Sequence, residues 1–493
     1  MTGKPAAPPR LRLVVAAVAV LAAVAAALGI GVASFPGERL AVDEPQYWFT
    51  ALSLAEDGVL DISDEMAERR WEQFSDRTPG VETVELAGGR QISPHDPLLP
   101  VLLAVPVLVG GWLGAKFAMA LLAGALAAAT VWTAVRRFAV PPPLAAAGTG
   151  IAAASTPLAV YGQQLYPELP AALACLLGVA ALSGAPRRRE LAWLATAVVT
   201  LPWLSVKYTP VAATLAGLAA WRWWRAGRRG EVLLLGAGLA VLGGVYLVVH
   251  RVVWGGWTAY ASGDHFVHTG EFAVMGVDPD FRLRVWRLIG LLVDRDVGLA
   301  VWQPAWLLVV PAVAALLVRP PRGGFATATP GGFATASLAL PLLAGWLVAS
   351  FLALTMHGWW WPGRQTVVVL PLALLAVLCW LARSGTALRA VAAVLGLAGV
   401  TTYAALLIDG WAGRIVWVNG YTHVDAPLYQ ALRRLLPAFR DYPGHLTWAV
   451  ALVLAALAAA WRAAARDRRL GAANDKICRS RHPNGDHASG RAG

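Results

Sequence analysis

Asp43 and Glu44 are adjacent carboxylates a few residues beyond an apolar run from Leu13 to Ser34. Two acids so close to hydrocarbon are costly to hold and are seldom there for packing alone. At such a boundary, partial burial tunes a carboxylate toward general-base work on an attacking hydroxyl. The plainer alternative is that the pair caps a short surface helix, which needs only one acid. Glu168, in the turn Tyr166-Pro167-Glu168, opens a later apolar run, with compensation of a helix dipole as its ordinary role. Lys207 in Ser205-Val206-Lys207-Tyr208 and Arg364 in Trp361-Pro362-Gly363-Arg364 are isolated cations at span boundaries. Such a cation either snorkels to lipid headgroups or, with others, clamps a phosphate and stabilises a leaving group. His95, just before Asp96-Pro97, and Tyr166 complete the candidate set as contacts to acceptor or substrate, although surface histidines are common.

The elements that must position these groups are membrane helices. Of 493 residues, 58% are hydrophobic and 14% charged, too apolar a balance for a soluble domain. Spans of roughly 20 apolar residues divide the chain into about twelve helices. The expected fold class is therefore all-α, a polytopic membrane protein with a long first outer loop. Clusters such as Arg136-Arg137, Arg187 to Arg189, Arg222-Arg225, Arg319-Arg322, Arg383-Arg389 and Arg462-Arg466 follow even-numbered crossings. All fall on the side of the N-terminus, so both termini are expected to be cytoplasmic. The net charge of +12 is a topology signal, since the basic residues sit in short clusters between apolar runs. No nucleic-acid partner is expected.

The expected organisation is a cytoplasmic tail over 1–12, one transmembrane domain over 13–464 and a disordered cytoplasmic tail over 465–493. Within it, the outer segment Phe35 to Asp96 carries fourteen acidic residues against five arginines. Pro45 suits the first turn of a surface helix that Gly58 stops, and a second helix is expected from Asp64 to about Phe74. Pro97 to Val109 is too short to span comfortably, and Gly110-Gly111 separates it from the next run, so it reads as a half-inserted helix. The first span is an alternative signal peptide, given the small residues Val32-Ala33-Ser34, but it is longer than a usual signal core. The spans read as free of ionisable residues at mid-depth.

Cys175, Cys379 and Cys478 offer neither a disulfide framework nor zinc spacing. His265, His268 and His357 form no HExxH pattern. The 23 tryptophans read mostly as interfacial anchors, with Trp48 and Trp359 to Trp361 as candidates to stack on a sugar ring.

Taken together, Asp43-Glu44-Pro45-Gln46-Tyr47, His95-Asp96-Pro97-Leu98-Leu99, Tyr166-Pro167-Glu168, Lys207-Tyr208 and Pro362-Gly363-Arg364 resemble the GT-C superfamily of integral membrane glycosyltransferases. The resemblance is greatest to the glycosyltransferase family 39-like branch of protein O-mannosyltransferases and aminoarabinose lipid A transferases. It covers the first six helices best and the Arg364 segment moderately, and the Asp409 to His445 loop matches nothing. It implies a polyprenyl-phosphate-linked sugar donor and a lipid, glycan or protein acceptor. Transfer is implied on the outer face of a bacterial inner membrane, with inversion. Asp43 then takes the catalytic acidic position with Glu44 beside it, Lys207 and Arg364 attend the donor phosphate, and Glu168, His95 and Tyr166 attend acceptor or substrate. No cofactor is expected. Relatives that use a metal hold it with spaced acids, whereas these are adjacent; no metal is predicted, with a divalent ion left open. A multi-pass transporter or lipid flippase and a non-catalytic scaffold are the competing classes.

Overall fold

The computed structural model describes residues 9–481, apart from 82, 86–87, 186, 257–280, 322–330, 354–355, 357 and 440. His265, His268 and His357 therefore lie outside the described residues. The chain is an all-α polytopic membrane protein, with one two-stranded ribbon in its first long loop. In chain order the helices are α1 (Pro9–Leu28), α2 (Glu44–Glu56), α3 (Ser63–Ala67), α4 (Leu98–Phe138), α5 (Pro142–Ala153), α6 (Leu158–Tyr161) and α7 (Glu168–Leu182). There follow α8 (Arg188–Leu204), α9 (Thr209–Arg225), α10 (Arg229–Trp254), α11 (Phe281–Arg284), α12 (Arg287–Val293) and α13 (Leu299–Trp302). The last are α14 (Val309–Val318), α15 (Gly331–Leu347), α16 (Leu370–Leu381), α17 (Thr386–Trp411), α18 (Pro427–Leu435) and α19 (Tyr442–Arg481).

Seven helical stretches among the described residues are long and apolar enough to cross a membrane, fewer than the twelve expected. The difference lies in α5, α7, α8, α9 and α14, which are 12, 15, 17, 17 and 10 residues long. Proline sets several of their boundaries: Pro142 opens α5, Pro167 precedes α7 and Pro210 opens α9. Leu121, Val241 and Leu454 on the long helices are each more than 60% exposed, and only hydrocarbon can cover such surfaces. Small residues let the spans approach: a Cβ on Gly124 of α4 would stand 2.8 Å from the Ala19 carbonyl of α1.

The loop after α1 departs from expectation in one place. Its first helix forms as predicted, with Pro45 in the first turn of α2. The second does not run from Asp64 to Phe74. It stops at Ala67, because Arg69 takes a left-handed conformation (φ 59°), and a 3₁₀ turn covers Arg70–Gln73. That break turns Phe74 onto Trp48 and Phe49 of α2, at ring distances of 5.1 and 5.9 Å. Trp48 is consequently fully buried and is not available to stack on a sugar. Nor is it alone, since Trp302, Trp361 and Trp417 are also buried core residues rather than interfacial anchors. Strands Val84–Glu85 (β1) and Gln91–Ile92 (β2) pair antiparallel, Val84 opposite Ile92.

Gly110 and Gly111 interrupt α4 with non-helical dihedrals, so Leu98–Val109 is a separate half-helix, as expected. At the other end of the chain, α19 continues to Arg481, past the expected end of the membrane domain at residue 464.

Candidate active site

Where α1 gives way to the first loop, the backbone is forced into an unusual turn. Val42 has φ 60°, a conformation that a β-branched residue adopts only under constraint. The turn sends the side chains of the next two residues apart. Asp43 stands at the N-cap of α2 but makes no side-chain capping bond, so the plain helix-capping role does not hold for it. Its carboxylate instead meets Arg364, with Nη2 to Oδ2 at 2.7 Å, and His95, with Nε2 to Oδ2 at 3.8 Å.

Glu44 points into the bundle and is 1% exposed. Its Oε1 accepts from Lys116 Nζ at 3.1 Å and from the Leu165 amide at 3.1 Å. Its Oε2 accepts from Ser34 Oγ at 2.9 Å and from the Ala41 amide at 3.2 Å. Four donors fill the carboxylate's acceptor sites, which leaves no lone pair for a substrate proton. The catalytic part expected for Glu44 thus gives way to a positioning one, tying the segment after α1, α4 and the 163–168 turn together behind Asp43.

Glu168 and Arg364 come from α7 and from the 3₁₀ turn Arg364–Val369. Pro167 precedes the first residue of α7, which aims Glu168 at the site. Gly363 has φ 84°, and a Cβ there would lie 2.9 Å from Leu299; only glycine fits the corner that presents Arg364. The Arg364 Nε donates to Glu168 Oε1 at 3.0 Å, and its guanidinium lies over the Tyr166 ring at 4.0 Å and over Trp360 at 4.9 Å. Lys207, in the turn between α8 and α9, donates to the same Glu168 oxygen at 2.7 Å and to Gln365 Oε1 at 3.1 Å. Glu168 is wholly buried, and its Oε2 has no hydrogen-bond partner. The Tyr208 hydroxyl interacts with Glu168 as well.

His95 and Asp96 divide the labour between two sides. His95 is held by Ser93 Oγ at 3.0 Å and packs on Tyr47 at 4.8 Å, facing Asp43. Asp96 accepts from the Val206 amide at 3.1 Å, Tyr246 Oη at 3.1 Å and His250 Nε2 at 3.0 Å. By holding Val206, Asp96 fixes the turn that carries Lys207.

Burial pushes the Asp43 carboxyl up, but the Arg364 charge and the His95 contact outweigh it and hold the group well below the usual carboxylate range. Burial also lowers Lys207, against the opposing pull of Glu168. The four central charges, Asp43, Glu168, Arg364 and Lys207, cancel.

All seven expected residues lie in or directly behind this one cluster. Lys116, Gln163, Asp96, Tyr246 and His250 were not anticipated. Lys116 and His250 are fully buried within α4 and α10, but Lys116 stands five residues past the Gly111 break and His250 four residues before the end of α10, near the site and not at mid-depth. A lone lysine in the apolar run Leu98–Phe138 was the available signal. For a metal, one group of acids among the described residues has ligand atoms within 4.8 Å of one another: Asp57, Asp64 and Glu65. It lies at the opposite end of α2 from Asp43, whereas the acids of the site are bound to cations.

No protein-family model and no curated protein matches the chain. Among solved structures, it is similar to ArnT from Cupriavidus metallidurans bound to undecaprenyl phosphate. The two share 16% identity over 92% of this chain and 77% of the other, with a TM-score of 0.45.

Proposed function

We propose that the protein is a GT-C membrane glycosyltransferase. In this reading it moves a sugar from a polyprenyl-phosphate donor to a lipid, glycan or protein acceptor on the outer face of a bacterial inner membrane. The observation that carries the proposal is the meeting of Asp43, Glu168, Lys207 and Arg364, drawn from four separate helix ends, in one mostly buried cluster. The resemblance of the motifs around these residues supports the same reading. The arginine clusters at the opposite helix ends support an outer-face location.

The chemistry needs one base and a cationic seat for the leaving group. A lipid phosphate arriving at the site competes for Arg364 and Lys207, whose charges are balanced by acids while the site is empty. As Arg364 turns to the phosphate, Asp43 loses its strongest partner and gains basicity. Asp43 then takes the proton of the acceptor hydroxyl as that oxygen bonds to the anomeric carbon. The bond from that carbon to the phosphate oxygen breaks, and its electron pair leaves with the phosphate, whose charge Arg364 and Lys207 offset. Attack opposite the leaving group inverts the anomeric centre. Glu168, which holds Arg364 and Lys207 side by side, is assigned to acceptor or substrate binding. His95 and Tyr166 line the approach.

The deciding experiment captures the purified protein with its lipid-linked sugar, identifies that sugar by mass spectrometry, and assays its transfer in proteoliposomes. Transfer by the native protein and none by a well-inserted Asp43→Asn variant supports the reading. Unchanged transfer by that variant overturns the assignment of Asp43 as base.

A further inference from the structure

A second feature lies at the opposite end of the bundle. The span Arg364–Leu381 has the acidic site at its start, and Arg383 just beyond its end. There a groove of about 480 Å³ opens between α14, α16, α17 and α19. Its wall is apolar or small, including Leu308, Ala315, Trp380, Ala455 and Ala458. Arg319, Arg383, Arg462 and Arg466 also line it, and no carboxylate does among the described residues.

These arginines are gathered by more than general topology. Arg383 donates to the carbonyls of Arg319 and Pro320, both at 2.8 Å, and Arg466 donates to the carbonyl of Arg383 at 2.6 Å. The bonds lock the ends of α14 and α16 to α19, so the guanidinium-bearing segments share one place. Around them Leu317, Leu454, Leu457 and Trp461 are each more than 60% exposed. On a membrane helix such a surface faces acyl chains, so the groove is open to a chain from the bilayer. An apolar slot beside four positive charges fits an amphiphile with an anionic head.

We propose that this groove binds one anionic phospholipid of the facing leaflet, its phosphate among Arg319, Arg383, Arg462 and Arg466 and an acyl chain along Ala455 and Ala458. The site is separate from the acidic cluster and carries no sugar chemistry.

The test uses the full-length protein in a neutral detergent, titrated with phosphatidylglycerol or with phosphatidylcholine of the same chains. Native mass spectrometry and thermal unfolding are the readouts. Phosphatidylglycerol is expected to form a one-to-one adduct and raise the melting temperature, and phosphatidylcholine to do neither. Arg319→Gln/Arg462→Gln is expected to weaken the adduct roughly thirtyfold, at roughly fivefold per arginine near an anionic lipid surface. Arg188→Gln/Arg225→Gln, at exposed positions elsewhere, is expected to leave it intact. Ala458→Trp, which fills the slot and keeps every charge, is expected to abolish it and carries the test if the double variant does not fold. Equal binding of phosphatidylcholine overturns the proposal, as does an undiminished adduct in the Ala458→Trp protein. Full stabilisation by inorganic phosphate alone overturns it too, because the site is then one for a free anion.

Discussion

The guanidinium of Arg364 lies 2.7 Å from the carboxylate of Asp43, although 321 positions separate them in the chain. The guanidinium and the carboxylate thus hold one another in place. In the proposed reaction, binding of the donor and activation of the base would be one event, because the same contact must be broken for both.

Replacing Asp43 with Asn keeps the shape of the side chain and removes its charge. Transfer is expected to fall roughly 10²–10⁴-fold, the usual contribution of a positioned general base. Single-turnover assays with a labelled lipid-linked sugar, alongside a measurement of donor binding, check this. A drop in binding with the chemical step unchanged would place Asp43 outside the proton transfer.

Arg364→Lys preserves the charge but cannot reach Asp43 and Glu168 together in the geometry that the planar guanidinium provides. Arg364→Gln leaves the buried Glu168 with Lys207 as its one remaining cation. Removing one member of a buried ion pair costs about 3–5 kcal/mol, so the Gln variant is expected to melt clearly lower than the Lys variant. Thermal unfolding in detergent, with Glu168→Gln added as a second change, checks whether the loss is recovered.

The pH dependence follows from the depressed Asp43 carboxyl. A group whose value is lowered on folding contributes stability that is complete above its unfolded value, about 3.9, and is lost as the pH falls through the folded one. A carboxyl held so low stays ionised through the mildly acidic range, so activity is expected to hold level on the acid side down to about pH 4. In Arg364→Gln the acid limb moves upward, since burial then raises Asp43 with less to oppose it. A pH profile of kcat/KM that stays superimposable between the two proteins counts against the coupling of these residues.

Glu65 has the opposite sign. Burial, helped by the neighbouring Asp64, pushes its carboxyl up to about 8. The native state then keeps a proton that the unfolded chain has released, so stability falls as the pH rises from about 4.3 toward 8. Glu65→Gln is expected to melt higher than the native protein at pH 8 and equally at pH 4. A difference of the same size at both values would mean that packing, not ionisation, is responsible.

Lys116→Met strands Glu44 among backbone amides without its cation, again at a cost of about 3–5 kcal/mol. Folded yield is expected to drop, and Lys116→Met/Glu44→Gln to recover much of it. Specific activity per folded molecule is the useful control. It should change little, because Glu44 holds the turn and does not touch substrate.

Much of the site was legible because a charge at the edge of an apolar run is conspicuous in any sequence. Asp43, Glu168, Lys207 and Arg364 all stand out in that way. The different fates of Asp43 and Glu44 were not legible. They depend on a left-handed residue at position 42 and on Lys116, 72 residues away, and neighbouring letters carry neither fact. The broken second surface helix was hidden for a similar reason. The charges from Asp64 onward suit a helix, but Phe74 packs on Trp48 and Phe49 and the chain turns at Arg69. Which of the expected spans form long helices was not legible, because apolar length alone does not reveal where a run breaks into a shorter helix.

The break at Gly110 and Gly111 has a mechanical consequence. The half-helix before it exposes Val101, Val105, Leu108 and Val109, so it floats with its apolar side in lipid. His95 and Asp96 sit three and two residues ahead of its first residue, Leu98, which makes it the keel to which one wall of the site is fastened. The height of that wall is thereby referenced to the bilayer surface itself. For the lipid-linked donor of the proposed reaction, held in the same bilayer, site and substrate would share one reference level.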